Sequence, residues 1–513
     1  MDGSKVLTWL VVAAALTTPL ACVATARAVT GEQMPAAALA NLLRSHPVTL
    51  NGARIVGDLE LHGTDRGLTC RDCIFAGNVT ARDVHFAEPV DLSGSTISGK
   101  LDLSGARFDR GLSARDTTFD GIVDLRRSRT NGAFDVSGAT FRAPALFGSP
   151  LGTHKSFSGT ADFSLATFTQ LATFENADFG GTTDFTLARF DAEAILSEGT
   201  SDGRLVFRRT IFSGPADFDD FTFNEAADFH AAEFRGPADF SQSNFLGQAT
   251  FAGTRFDTGA SFLAASFFSA TSFANVDAAG ALDFTLAEFD RTTDFAYAVS
   301  DRTTSFADAV FGPHGKLDFS KVSFAGLQMS VPSVLKSVDD AGERDRERVL
   351  DLLESSAKER NDLSLANDAH YARQVLRSRH HGWFLRGLDF AFYRTSAGYF
   401  VRPLNPLATL LAIAAVFALA RAFRYERSRR PEPPAAAPGA RARARRTGRL
   451  ALHTTGGFPE KLRETLVAIV PRRDAKGAAP RAEVLAYRAL SACVLIGLAN
   501  SNPTLRQMFN AFH

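Results

Sequence analysis

From residue 63 to residue 330 the chain sets a large apolar residue at every fifth or sixth position and fills the gaps with small or polar ones. Counting in elevens from Phe163 reaches Phe174, Phe185, Leu196, Phe207, Phe218, Phe229, Phe240, Phe251 and Phe262, and continues to Phe306. Thirteen of these 14 positions are phenylalanine. Counting in elevens from Phe168 through Phe179 to Phe311 gives 11 of 14. Only 45 of the 513 residues are phenylalanine, so chance would supply roughly two or three of the 28, and the spacing is an internal repeat. Backwards, the first series runs through Phe141, Phe119, Phe108, Ile97, Phe86 and Phe75. Its companion there is Phe147, Val136, Leu125, Leu103 and Leu92, one residue out of step with the later half. Spacings of five and six therefore alternate. The pattern predicts that the extra residue changes corner near Gly148-Ser149-Pro150, with an outward loop or distorted coil through Thr160.

An eleven-residue period also suits a right-handed coiled coil. Composition excludes it: Ala161-Asp162-Phe163-Ser164-Leu165-Ala166-Thr167-Phe168 is rich in residues that long helices avoid. Two positions before the large residue stands a small one, as at Ala161, Ala166, Ala172, Ala177 and Ala188. A five-residue unit with one large and one small inward residue makes one side of a square coil. Four sides make a turn of about 22 residues, stacked at the β spacing of about 4.8 Å. From Phe75 to Phe324 this gives roughly eleven coils and a rod of about 50–55 Å. Each buried ring contributes about 1.5–3 kcal/mol, so stability is a sum over neighbouring coils that need capped ends. Phe221, at a small position, is expected to strain its coil.

With a small residue two places before phenylalanine, most often as A-x-F, repeated more than twenty times over half the chain, the sequence resembles the pentapeptide repeat proteins. The resemblance implies a mainly β fold, a right-handed quadrilateral β-helix. It departs from the family's usual leucine-centred unit in its phenylalanines and in the sixth residue. The core ladder comprises Phe163, Phe168, Phe174, Phe179, Phe185, Phe207, Phe218, Phe229, Phe240, Phe251 and Phe262.

Charge and hydropathy organise the rest. The 56 basic and 56 acidic residues cancel, but residues 51–330 carry 37 acidic and 23 basic, and residues 331–513 carry 17 acidic and 30 basic. That split argues against a nucleic-acid binder. Lys5, the run Val6 to Ala15 and the small residues to Ala28 read as a signal peptide over 1–28, cleaved after Ala26 or Ala28, with an uncleaved anchor and lipidation at Cys22 as alternatives. Residues 29–62 form an N-terminal cap, with a helix from Ala36 to Arg44 and strand-like Ile55, Leu59 and Leu61. Residues 63–330 form the β-helix. Past Pro332, residues 331–400 are a helical connector, a hairpin of Glu343 to Arg360 and Leu363 to Leu376. Leu404 to Ala420 is uncharged and ten arginines follow between Arg421 and Arg449, which predicts a transmembrane helix over 401–423 with a cytoplasmic flank. Residues 424–482 are a basic, partly disordered loop whose Phe458 to Val470 lies on an anionic leaflet or serves as a linker helix. Residues 483–513 hold a second membrane or interfacial helix.

Chemistry-bearing patterns are sparse. Cys70-Arg71-Asp72-Cys73 lacks the context of a redox or zinc motif, and Cys73 falls at a small inward position. The pair is read as core cysteines or a structural disulfide of the first coil, which an oxidising compartment permits. Asp217, Asp219, Asp220, Asp228 and Asp239 are expected to line one face as an acidic stripe, solvated or holding calcium. His380-His381 is read as interfacial. No nucleophile elbow, phosphate loop or zinc-protease helix is found, so no catalytic, cofactor or metal residues are assigned. These readings predict a non-catalytic, membrane-anchored scaffold whose repeat domain is extracytoplasmic, periplasmic or at the cell surface. Its partners would be the lipid bilayer and a protein or envelope polymer, with no nucleic acid. The alternatives are a regulatory or sensor domain of a channel-like membrane protein and a DNA-mimicking topoisomerase inhibitor.

Overall fold

A computed structural model describes residues 33–63, 66–148, 156–338 and 343–379, with Leu411, Ala414 and Ala415 beyond them. The expected signal peptide, the basic loop, His380-His381 and, apart from those three residues, both C-terminal apolar runs lie outside the described residues. Among the described residues no helix is long and apolar enough to cross a membrane. The chain divides into two compact units, Met1–Gly236 and Pro237–His513.

In the first unit the backbone winds as a four-sided β-solenoid. One coil contains the strands Ala161–Asp162, Thr167–Phe168, Ala172–Thr173 and Asp178–Phe179, and the next begins at Thr183–Asp184. Each strand is short because only three residues separate one corner from the next: a small inward residue, an outward one and a large inward one. Strands of successive coils pair in parallel, each residue opposite its counterpart one turn on, as in Thr96↔Thr118 and Phe190↔Phe212. One side stacks nine strands, from Val48–Asn51 to Ala227–Asp228. The winding thus starts well before Phe75, on coils whose inward residues are Val48, Leu50, Leu59 and Leu61. A count begun at the first phenylalanine misses them.

The helix α1, Ala36–Leu43, buries Ala36, Leu39 and Leu43 beside these first coils. The strand Gln33–Pro35 pairs with Arg54–Val56.

Rings fill the axis. Phe163, Phe185, Phe207 and Phe229 stack with centroids 4.6, 4.8 and 4.9 Å apart and planes within 9°. Neighbouring columns meet edge to face, as Phe163 and Phe174 do at 5.3 Å and 84°. The ladder spacing of about 4.7–4.9 Å dictates the stack, and rings bridge that distance by leaning, the offset contact that aromatic quadrupoles favour.

Two sequence expectations change. Pairs that bridge positions 149–155, as in Phe134↔Ala161, Thr140↔Thr167 and Ala145↔Ala172, span five more positions than the pairs of the coils on either side, such as Phe119↔Phe141 and Phe168↔Phe190. Phe141 therefore stacks on Phe168 (4.6 Å) and Phe147 on Phe174 (4.7 Å), so the sixth residue keeps its corner on every coil. Five additional residues between Gly148 and Ser156 produce the apparent change of phase.

Phe221 is accommodated by exchange. Its fully buried ring lies 4.4 Å from Phe223 and 6.5 Å from Phe179. The strands Asp178–Phe179, Thr200–Ser201 and Thr222–Phe223 are adjacent rungs, so Ser201 leaves the column one ring short and Phe221 supplies it. Gly199 completes the fit, since a Cβ there would stand 2.6 Å from the Phe221 ring.

The second unit has the same winding, with four strands on the corresponding side, from Ala249–Thr250 to Leu317–Asp318. Phe240, Phe262, Phe284 and Phe306 form a column spaced 5.0, 4.9 and 5.0 Å apart, and Phe251 stacks on Phe273 at 4.9 Å. Three helices follow: α2, Val331–Ser337, α3, Glu343–Glu359, and α4, Leu363–Arg379. Ser330 caps α2 by accepting the Ser333 N–H (3.2 Å). The helix α3 closes on the last strand, Ser323–Gln328, where Leu327 N–H donates to Ser356 Oγ (3.0 Å) and Arg360 donates to the Leu327 carbonyl (3.2 Å). The left-handed Asn361 turns the chain into α4, whose Leu365 N–H donates to Asp362 (3.0 Å). Arg373 donates to Glu354 (2.7 Å), tying α4 to α3.

Exchange of ring and hydroxyl predicts a specific rescue. Phe221→Ala alone is expected to cost about 3–5 kcal/mol in urea unfolding. Adding Ser201→Phe, which restores the regular column, should recover most of that loss, and no recovery would refute the exchange.

Candidate interaction surface

Inward residues belong to the packing, so the available surface is four outward rows and four corners. Two kinds of corner alternate. At the tight one, Phe163-Ser164-Leu165-Ala166, the Ala166 N–H donates to the Phe163 carbonyl (3.1 Å) and Leu165 has φ 61°. A positive φ at the second central residue is the mark of a type II turn. The position recurs every eleven residues as Asn176, Leu187, Glu198 and Arg209. The other corner carries the sixth residue and there brings successive coils close together. At Gly203 a Cβ would meet the Gly181 carbonyl carbon at 2.3 Å, so only glycine fits.

Aspartates secure the tight corners. The outward residue before the large one folds its carboxylate onto the corner's own amide, as Asp162 accepts from Ser164 N–H (2.9 Å) and Asp184 from Thr186 N–H (2.7 Å). The expected acidic stripe is therefore largely corner chemistry. Asp217 accepts from Asp219 N–H (3.0 Å), Asp228 from His230 N–H (3.2 Å) and, in the second unit, Asp239 from Ser241 N–H (2.9 Å). Arg204 and Arg208 also hold Asp228, at 2.6 and 2.7 Å. No cluster of three or more metal-ligating side chains forms among the described residues.

Cations clamp the carboxylates of the earlier coils. Asp102, 2% exposed, accepts from Arg82 Nε (2.7 Å), Lys100 Nζ (2.9 Å) and Ser104 Oγ (2.7 Å). Burial alone would raise its pKa, but these donors outweigh it and hold the carboxyl far below its ordinary value. Asp91, beside Ser93 and Arg71, and Asp124, beside Arg126, are lowered by the same balance. Asp109 is lowered to about 2 by hydrogen bonds from His85 (2.7 Å) and Arg107 (2.8 Å), and Asn131 also donates to it (3.0 Å).

Cys70 and Cys73 are joined as a disulfide across a tight corner, with Asp72 between them at φ 56°. Both are buried. Ser95 Oγ bridges the corner from the next coil, accepting from Cys73 N–H (3.0 Å) and donating to the Cys70 carbonyl (2.8 Å). Thr117 and Thr210 also reach back a coil, to the carbonyls of Leu92 (2.9 Å) and Phe185 (2.7 Å). The ladder phenylalanines, Phe163 to Phe262, are all interior, at 1% exposure or less. They shape the surface without taking part in it.

The same coils carry the likeness to known proteins. The family model described as pentapeptide repeats (9 copies) matches residues 156–200, 207–255 and 218–266. The matched coils carry pentapeptide repeats, and these repeats fold as a β-solenoid. No curated protein and no solved structure was found to match it.

The carboxylate clamps set a pH dependence. Asp91, Asp102 and Asp124 titrate lower when folded than the ordinary value of 3.8. Their contribution to stability is therefore complete above that value and is lost as pH falls from it toward the folded values. Urea melts of Asp102→Asn are expected to show a lower midpoint at pH 7 and a shallower decline between about pH 4 and pH 2 than the parent. Reduction of Cys70–Cys73 should increase amide exchange over Leu68–Phe75 while leaving exchange over Phe163–Phe234 unchanged, because coils depend chiefly on their neighbours.

Proposed function

We propose that the chain is a non-catalytic scaffold, a right-handed β-solenoid held outside the cytoplasmic membrane by its C-terminal segment and presenting fixed rows of side chains to a protein or an envelope polymer. One observation carries this reading. The interior of each unit is packed with rings, while outward carboxylates and cations are locked to the corners in register. Asp102 with its three donors and Asp109 with His85, Arg107 and Asn131 are instances. Side chains held this way lose little freedom on meeting a partner, which favours recognition over turnover.

The address rests on the sequence. The leader-like segment 1–28, the uncharged run Leu404 to Ala420 and the arginines after it give an outside-to-inside order. The helices α2, α3 and α4 fit as the link between solenoid and membrane.

Spheroplasts of a host expressing the full chain test the reading. Added protease is expected to remove an epitope placed in the repeat region and to spare one placed within 424–482 until lysis. Protection of the repeat epitope before lysis would refute the topology.

A further inference from the structure

The first unit distributes its charge unevenly. Residues 156–236 carry 14 acidic and five basic side chains, whereas residues 63–148 carry 11 of each. In the earlier stretch most carboxylates are already engaged. Asp91, Asp102, Asp124 and Asp135 each accept from arginine, and Asp120 pairs with Arg142 (2.8 Å). The cations left over gather on one side.

That side is the row His85, Arg107, Arg129, whose strands His85–Phe86, Arg107–Phe108 and Arg129–Thr130 are paired in register. Arg127 sits at the preceding tight corner, left-handed at φ 62°, and Arg110 at the following wide corner. A Cβ on Gly132 would meet the Arg110 carbonyl carbon at 2.3 Å, so Arg110 lies directly against the coil that holds Arg127 and Arg129. Asp109 lies among these cations but is occupied by His85, Arg107 and Asn131. Arg110, Arg127 and Arg129 form no ion pair and no side-chain hydrogen bond among the described residues. Three unmatched guanidinium groups on two consecutive coils, beside a carboxylate already neutralised, make a local excess of positive charge.

We propose that this row is a docking surface for an anionic envelope polymer, one that repeats carboxylate or phosphate groups along an otherwise uncharged chain. Guanidinium groups pair with both oxyanions through two parallel N–H donors, and Arg110, Arg127 and Arg129 offer three such groups around this row on two consecutive coils. The acidic coils from 156 to 236 repel the same polymer and confine it to the earlier coils. A folded protein partner would need an acidic patch of matching shape, whereas a flexible polyanion needs only the repeated charge. The proposal rests on the extracytoplasmic reading above and names the partner for it.

The test uses the full chain, purified in a nonionic detergent, with polygalacturonate as the carboxylate probe and poly(glycerol phosphate) as the phosphate probe. Binding to at least one is expected, weakening by tenfold or more between 50 and 300 mM salt. In the triple variant Arg110→Gln, Arg127→Gln, Arg129→Gln, binding should fall at least tenfold and the salt slope by about two to three. The triple variant should keep its melting temperature, because none of the three side chains bonds to the fold. Arg209→Gln, on the acidic coils, should leave binding unchanged. No binding to either polymer, an unaltered triple variant, or tighter binding to duplex DNA or to phosphatidylglycerol vesicles would overturn the proposal. The spheroplast result is independent: polymer binding with a protected repeat epitope sinks the address, and an accessible epitope without polymer binding sinks the surface.

Discussion

One constraint governs the fold: hydrogen-bonded rungs fix the rise per coil, so whatever points inward must stack at the strand spacing. Phenylalanine meets this condition well. Its flat ring, leaned slightly, touches the equivalent ring above and below, and edge-to-face contact between columns fills the space that remains. Once the columns are set, the outward surface follows without further choice. The middle residue of each side must face solvent, in rows that repeat at the same rise.

Corners are where the sequence has freedom, and they divide into two kinds. The tight corner takes a left-handed residue with little regard to its identity, accepting leucine at 165 and 187 and arginine at 209. Such a conformation costs an L-residue about 1 kcal/mol. The ladder bonds on either side offset it, joined at 165 and 187 by the aspartate folded onto the corner. At the wide corner the constraint is local: at Gly203 backbones pass so closely that a methyl group has no place, whereas the equivalent positions are alanine at 192 and glutamate at 225.

Periodicity makes the winding readable, because thirteen phenylalanines at fourteen positions cannot be placed otherwise. What the pattern hides are substitutions that compensate between coils. Ser201 and Phe221 lie almost a full turn apart and each looks like a defect by itself; only the register shows that one ring has replaced another. The insertion after Gly148 is visible in the sequence but deceptive, since five extra residues in an eleven-residue period look like a shifted companion series. The aspartates deceive too, because a residue such as Asp217 reads as solvent-facing until its reach to the amide two residues ahead is known. The pattern D-F-S-x or D-F-T-x, as at Asp162 and Asp184, holds that signal. Arg110, Arg127 and Arg129 escape a reading of the sequence because no linear motif joins them.

The insertion between Gly148 and Ser156 has an architectural consequence. Because ring columns on both sides of it remain aligned, chain can be added at that point without altering how many times the backbone circles the axis. A smaller addition is absorbed in the second unit, where Thr293↔Leu317 and Val299↔Ser323 span two positions more than Thr96↔Thr118 does. A solenoid of this type therefore has two routes of growth, lengthening by duplicated turns and acquiring an appendage at a permissive corner, and only the second can bring in a segment of unrelated sequence.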